Sequence, residues 1–257
     1  MVKDNSIFQQ YVITLDTDWA PEYCIEFTAD LLIKRNCKAT WFITHASDMI
    51  KRISENKKLF ETGLHPNFLP NSSHGKTAEE VMDYITRLCP DSKIMRTHAL
   101  IQSSPLLSLI NSKYNVDIDM SLLLYETPNI TPHLIRLSKE SKGLLRIPYF
   151  FEDDVEMYNP KKIWDINNPK YHINGLKVFN FHPIFIYLNS DIIEPYEELK
   201  KIGALSTLDK KTVDPFVNTK VYGARDLFID LIDYISNHQS ASYTATDIAS
   251  IWYKLHG

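Results

Sequence analysis

Two carboxylates leave an apolar run two residues apart in TLDTDWAP, where Asp16 and Asp18 flank Thr17. Alternate residues share a face while a strand stays extended, so both acids can look into one pocket. There they repel each other unless a cation or a proton relieves them. A capping or turn role for one of them, ahead of Pro21, is the competing reading, and the pairing argues against it. A second set of candidates lies in GLHPNFLPNSSHGK, with His65 at the end of an apolar run and His74 nine residues on in a loop rich in Pro and Asn. Imidazole nitrogen with carboxylate oxygen suits zinc or a similar divalent ion, and a catalytic site takes about three protein ligands plus an open position. Asp18, His65 and His74 supply three.

The elements that must position these residues follow from the period of the apolar pattern. Tyr11 to Leu15 reads as a strand, and Pro21 opens a helical stretch to about Asn36. ATWFIT (39–44) is strand-like, Ser47 to Lys58 helical, and another strand ends at Leu64. Thr77 and Glu80 stand at capping-box spacing before a helix to about Leu88. Lys93 to Met95 extends, Ser104-Pro105 starts a helix, and Val116 to Leu124 extends again. Gly143 to Phe151 and Leu176 to Phe181 are β-rich, and Ala224 to His238 and Thr246 to His256 carry helical apolar faces.

Repeated β-then-α units predict a parallel sheet closed or nearly closed as a barrel, whose chemistry gathers where strands hand over to loops at their C-terminal ends. Asp16, Asp18, His65, Arg96, His98, Arg146 and His182 all fall at such places.

Taken in order, TLDTDWAP, KATWFIT, GLHPNF with SSHG, MRTHAL, RIPYFFEDD and VFNFHP resemble the NodB-homology polysaccharide deacetylases of carbohydrate esterase family four, and most closely their WbmS-like branch, over roughly residues 11–190. The resemblance implies a deformed (β/α)7 barrel with extra C-terminal helices. The whole chain, 1–257, would be one domain, with residues 191–257 a mostly helical extension. Carried over by position, it implies Asp16 as general base, Arg96 as its partner, His182 as general acid, and Asp18, His65 and His74 as ligands of one divalent ion, zinc foremost among first-row metals. Trp19, Trp41 and Tyr149 would wall a sugar-binding groove, with His98 and Asn67 beside the substrate unless one of them replaces His74.

The sequence departs from the family pattern in three ways. Thr17 separates the aspartates, the histidines stand nine apart instead of four, and RTHAL replaces the usual Arg-x-Pro-x-Gly. In the loop Glu152-Asp153-Asp154, Asp153 or Asp154 can orient His182 or Arg96 by a hydrogen bond. Arg146 with these acids reads equally well as a structural ion-pair network. His45 reads as a surface or structural residue sooner than a pocket one, and His133, His172, His238 and His256 as surface or helix-end residues.

Composition narrows the classes further. Twenty-eight Lys+Arg against 32 Asp+Glu, with no basic run, make nucleic acid an unlikely partner. The seven glycines show no GxGxxG or GxxxxGK[ST] spacing, which removes Gly-rich phosphate loops. Three cysteines without CxxC spacing read as reduced core thiols, and no apolar run reaches membrane-spanning length or forms a secretory leader, so the expected location is cytoplasmic. The resulting expectation is a metal-dependent hydrolase that removes acetyl from an N-acetylated sugar or sugar nucleotide in surface-polysaccharide or O-antigen biosynthesis. A non-catalytic carbohydrate-binding barrel and a hydrolase of non-sugar amides are the alternatives.

Overall fold

Strand β1 (Tyr11–Asp16) is buried at all six positions, because one face looks into a barrel and the other lies under helices. It pairs in parallel with β2 (Ala39–Ile43) on one side. The computed structural model describes residues 8–139, 142–238 and 241–256; residues 1–7, where the reading of a missing leader begins, lie outside them. The ladder continues in parallel through β3 (Phe60–Leu64), β4 (Ile94–Met95) and β5 (Ile118–Asp119). Edge strand β6 (His133–Ile135) runs antiparallel to β7 (Leu144–Arg146), which itself pairs in parallel with β5. On the other flank β8 (Phe151–Glu152) pairs with β9 (Lys177–Phe181), and β9 pairs with β1.

Gly143 to Phe151, predicted as one strand, is two, and the division closes the barrel. Pro148 has no N–H to give a ladder, and two residues later the chain changes partners. Ile147 N donates to Asp119 O at 2.9 Å and Tyr149 N to Leu122 O at 3.0 Å, while Phe150 N donates to Val178 O at 2.7 Å. One stretch thereby joins β5 to β9 and completes a ring with β1 to β4, the deformed barrel that the sequence predicts. Val116 to Leu124 shortens to β5 for the same reason, since beyond Asp119 it meets an interrupted partner and keeps only an isolated bridge, Leu123 to Tyr149.

The helices are α1 (Glu22–Lys34), α2 (Asp48–Glu55), α3 (Ala78–Leu88), α4 (Ser104–Tyr114), α5 (Asp153–Tyr158), α6 (Pro183–Leu188), α7 (Glu194–Ile202), α8 (Lys210–Val213), α9 (Ala224–His238) and α10 (Ala245–His256). Local chemistry sets their starts. Ser47 and Ser103 accept from the N–H groups of Ile50 and Leu106, and Thr77 with Glu80 forms the predicted capping box. The C-terminal helices dock on the barrel's outside. In α9, Leu227, Phe228, Leu231, Ile232 and Ile235 are buried at helical spacing, and Phe228 meets Phe181 of β9 edge to face. Arg35 to Asp233 at 2.6 Å and Lys38 to Asp247 at 2.9 Å tie α9 and α10 to the opening βα unit.

Cys24, Cys37 and Cys89 are buried and unpaired, and burial pushes each thiol up, as inert core thiols require. Among the described residues no helix is long and apolar enough to cross a membrane. A cleft of about 1140 Å³ lies at the N-terminal end of the strands, lined by Lys38, Phe60, Lys93 and Lys142, away from the strand ends that carry the candidate site.

Candidate active site

The extended geometry invoked for the Asp16/Asp18 pair stops at Asp16. Thr17 N still donates to Phe42 O at 3.0 Å, but Asp18 and Trp19 adopt φ of 39° and 53°. Asp tolerates this left-handed region, whereas for Trp it is costly. The turn is held by Trp19 N on Thr44 Oγ1 at 3.0 Å and Ala20 N on Thr17 O at 2.7 Å. A tight turn, and not a shared pleat, swings Asp18 back toward Asp16. A second strained turn, at Ala99 and Leu100 with φ of 51° and 54°, sets His98 opposite it. Strain of this kind concentrates at functional sites.

Arg96, fully buried, spends its guanidinium on Asp16. Nη1 donates to Asp16 Oδ1 at 2.9 Å and also to Asn180 Oδ1, Nη2 to Thr14 Oγ1 at 3.0 Å, and Nε to Met120 O at 3.3 Å. Its plane lies between the rings of Phe42 and Tyr149, 4.4 Å from each centroid. Gly63 makes room for this stack, since a Cβ there would stand 2.7 Å from the Phe42 ring. Burial pushes the Asp16 carboxyl up, yet the charges of Arg96, His65 and His182 outweigh it and hold Asp16 below its ordinary value. Asp16 is therefore an ionised carboxylate in a dry setting.

Asn180, which sequence reasoning passed over, completes this cluster. Its Nδ2 donates to Asp16 Oδ2 at 2.9 Å and to Glu152 Oε1 at 3.0 Å, and its Oδ1 accepts from Arg96 and from Thr14 Oγ1. The available signal was a lone amide inside the apolar run KVFNF.

Asp18 meets three imidazoles. Its Oδ1 lies 3.1 Å from His65 Nε2 and 3.2 Å from His98 Nδ1, and its Oδ2 lies 3.5 Å from His182 Nε2. Burial raises the Asp18 carboxyl, but the bonds from His65 and His98 hold it well below its usual range; the same contact keeps His98 above its ordinary value against burial.

His74, expected as the third ligand, is not brought into this group. Its Nε2 donates to Thr44 O at 2.8 Å and its Nδ1 accepts from Asn67 N at 3.1 Å. Burial pushes it down to about 4, so it stays neutral and fastens the loop. The nine-residue step from His65 to His74 leaves room for a loop that turns the second ring away from Asp18. His98, held as an alternative, stands in the expected place.

Other expectations meet the structure unevenly. Asn67 is nearly buried, its Oδ1 accepting from Leu69 N at 2.9 Å. Trp19 is half-buried beside the site, its ring 5.4 Å from His98. Tyr149 and Trp41 line no groove. Both are fully buried, Tyr149 under Arg96 with its hydroxyl on Glu152 Oε2 at 2.9 Å, and Trp41 against Phe60. Trp41 faces out of the barrel under helices, and Tyr149 faces its packed interior. Arg146 forms a structural ion pair, but with Asp119 at 2.7 Å and not with the acids of residues 152–154. His45 is half-buried on Thr44 Oγ1.

His182, the residue after β9, is gripped by Asp153 at two points. Oδ1 accepts from the ring Nδ1 at 2.7 Å and Oδ2 from the backbone N at 2.8 Å. Burial opposes a charged imidazole, but Asp153, Asp18 and Asp154 prevail and raise His182 well above its ordinary value. Burial also drives the Asp153 carboxyl up. The proton nonetheless belongs on the ring, because the carboxylate accepts three bonds from His182 and the Asp154 N–H, all favouring its anion. Burial first, then Asp154, pushes Glu152 up to about 8, so it adds little negative charge beside Asp16 at neutral pH.

Two groups of ligating side chains are close enough to hold an ion among the described residues: Asp18 with His65 and His98, and Asp16 with Glu152 and His182, the atoms of each lying within 4.8 Å of one another. The first fits a divalent ion. His65 Nδ1 donates to Arg96 O at 2.7 Å, which fixes the ring with Nε2 toward the Asp18 carboxylate, where a divalent ion would take the place of the proton between them. A cation between them satisfies both. In the second group Arg96 already neutralises Asp16, and Asp153 occupies Nδ1 of His182.

Both the sequence and the fold match known proteins. A family model described as WbmS-like polysaccharide deacetylase matches residues 13–200. A Bordetella bronchiseptica protein described as a polysaccharide deacetylase involved in O-antigen biosynthesis is 28% identical, with a TM-score of 0.75 over 88% of this chain and 90% of that one. The peptidoglycan deacetylase PdaC of Bacillus subtilis shares the fold at 12% identity, with a TM-score of 0.52 over 98% of this chain and 95% of that one. No curated protein matches the sequence significantly. With the matched stretch running from β1 past His182, the chain belongs to the WbmS-like polysaccharide deacetylase family.

Proposed function

We propose that this protein is a divalent-metal-dependent hydrolase that removes the acetyl group from an N-acetylated sugar, as a step in surface-polysaccharide assembly of the O-antigen kind. One observation carries the reading. Asp18, flanked by His65 and His98, lies beside an anionic carboxylate fixed by Arg96 and a cationic imidazole fixed by Asp153. A base and an acid next to one ligand cluster are what cleavage of an acetamide needs.

Asp18, His65 and His98 would hold the ion. When bound, a divalent ion supplies Lewis-acid polarisation of the acetamide carbonyl and makes a neighbouring water more acidic. Asp16, ionised and immobile, accepts the proton of the attacking water on the carboxylate that Arg96 and Asn180 orient. His182 donates its Nε2 proton to the departing amine nitrogen, since an amide anion is too basic to leave unaided. Asp153 keeps that imidazole charged and aimed. The buried stack of Phe42, Arg96 and Tyr149 excludes water from behind Asp16, which strengthens the base's fixed electrostatics. The family model and the 28% identical relative described as a polysaccharide deacetylase involved in O-antigen biosynthesis support a carbohydrate substrate.

The test is metal content together with acetate release from a panel of N-acetylhexosamine nucleotides, with Asp18→Ala and His182→Ala alongside. One ion per chain lost in Asp18→Ala, with turnover abolished but the ion retained in His182→Ala, supports the assignment. Absence of metal from protein purified under replete conditions overturns the hydrolase and favours a carbohydrate-binding barrel. Metal without acetate release redirects the search to non-sugar amides.

A further inference from the structure

Beside the reacting groups lie two polar side chains to which the mechanism above gives no contact with substrate. Asp154, the neighbour of the residue that grips His182, has a buried Oδ1 that receives no hydrogen bond. An acceptor left without a donor at an otherwise well-satisfied site marks a place whose partner arrives with a ligand. The other is Tyr196, in the first turn of α7, half-buried, with no hydrogen-bond partner for its hydroxyl among the described residues.

Tyr196 belongs to the C-terminal extension, yet it reaches the site. Its ring meets Phe185 edge to face at 4.8 Å, and Phe185 meets the His182 ring in the same way at 5.2 Å. Burial first, then the charges of Asp18, of its helix neighbour Glu197, and of Asp154 and Asp153, keep the phenol in its protonated form. The Lys200 ammonium stands over the ring, 5.2 Å from its centroid. A phenol donor and an unsatisfied carboxylate, flanking the general acid from two different elements, form an arrangement suited to a polyhydroxylated ring.

We propose that Tyr196 and Asp154 form the sugar subsite of this protein: Asp154 accepts from a ring hydroxyl of the N-acetylated sugar, and Tyr196 closes over the same edge of the ring from α7. The proposal rests on the deacetylase reading and adds the groups that select a sugar over a bare acetyl compound. The C-terminal extension is thereby a determinant of specificity as well as a brace on the barrel.

Tyr196→Phe and Asp154→Asn keep the shape of each side chain and separate this role from packing. Each is assayed with UDP-N-acetylglucosamine and with p-nitrophenyl acetate, which has no sugar hydroxyls, and sugar-nucleotide binding is read independently by saturation-transfer NMR. The ratio of kcat/KM for the sugar to that for the aryl ester falls about threefold to tenfold in Tyr196→Phe and about ten- to hundredfold in Asp154→Asn, with weaker binding in both. Equal losses on the two substrates, or an unchanged ratio with unchanged binding, overturn the subsite. If the wild-type protein turns over neither compound, the proposed function fails, and the binding arm still decides the subsite: sugar signals weakened by both substitutions support it, and signals absent or unaltered overturn it.

Discussion

Nδ1 of His182 and Oδ1 of Asp153 lie 2.7 Å apart, and the other oxygen of the same carboxylate accepts from the His182 backbone N–H. One side chain thus fixes both the ring and the strand end that carries it. His182 is held above its ordinary value, so the protonated form needed of an acid persists through neutral pH and is lost as pH rises through the raised value. Replacing Asp153 with Asn removes much of that support. The alkaline limb of the kcat/KM profile then moves to lower pH, and activity at pH 8 falls by about 10²–10⁴. An unmoved limb shows that His182 is not the acid.

Arg96 is a buried charge with four different acceptors, so removing it exposes more than one debt. In Arg96→Ala, Asp16 and Asn180 lose their donor and the space between Phe42 and Tyr149 empties. Stability falls by about 3–5 kcal/mol, readable in urea unfolding. Arg96→Lys keeps a charge but not the planar fork or the stack, and should fold with a lower midpoint and sharply reduced kcat. Retention of wild-type kcat in the lysine variant shows that the fork does not orient the base.

His98 and His74 make a discriminating pair for metal binding. His98→Ala should lose the ion or bind it at least about tenfold more weakly in a chelator competition, a loss at least as large as that for removing an outer-shell partner. His74→Ala should keep the ion and instead lower thermal stability, because Thr44 O and Asn67 N each lose a buried partner. The reverse result returns His74 to the ligand set.

Asn180 sets the charge around the base. Asn180→Asp places a second carboxyl against Asp16 Oδ2, and like charge raises the Asp16 carboxyl. The acid limb of kcat/KM should therefore move to higher pH, opposite in sign and position to the shift in Asp153→Asn. An acid limb that stays in place excludes Asp16 as the titrating base.

The barrel was legible because its signals are local: apolar runs of strand length, a Pro at the start of α1, a capping box at Thr77. What escaped was non-local. Pro148 divides a predicted strand, but that the two halves serve different neighbours is decided by β5 and β9 from elsewhere in the chain. Strand β6 is three residues with an exposed His133, too short for a period. In the site, Asp16, Asp18, Arg96 and His182 were readable as polar groups at strand ends. The choice between His74 and His98 was not, because it turns on which way a loop folds its ring. Tyr149 and Trp41 read as groove walls in the sequence because an aromatic side chain shows its chemistry there but not its burial.

The strand divided at Pro148 has a consequence for how the protein comes into being. Asp16 receives Asn180 from 164 residues away and Arg96 from 80, and the ring cannot close until the stretch around Tyr149 has found both β5 and β9. A growing chain that has released only its first βα units carries all of Asp18, His65 and His98, yet lacks the β9 side of Asp16, with Asn180, and the acid. Long-range closure of this sort is slow to nucleate. It also makes competence late, so that the ligand cluster is complete in the chain well before anything can be hydrolysed there.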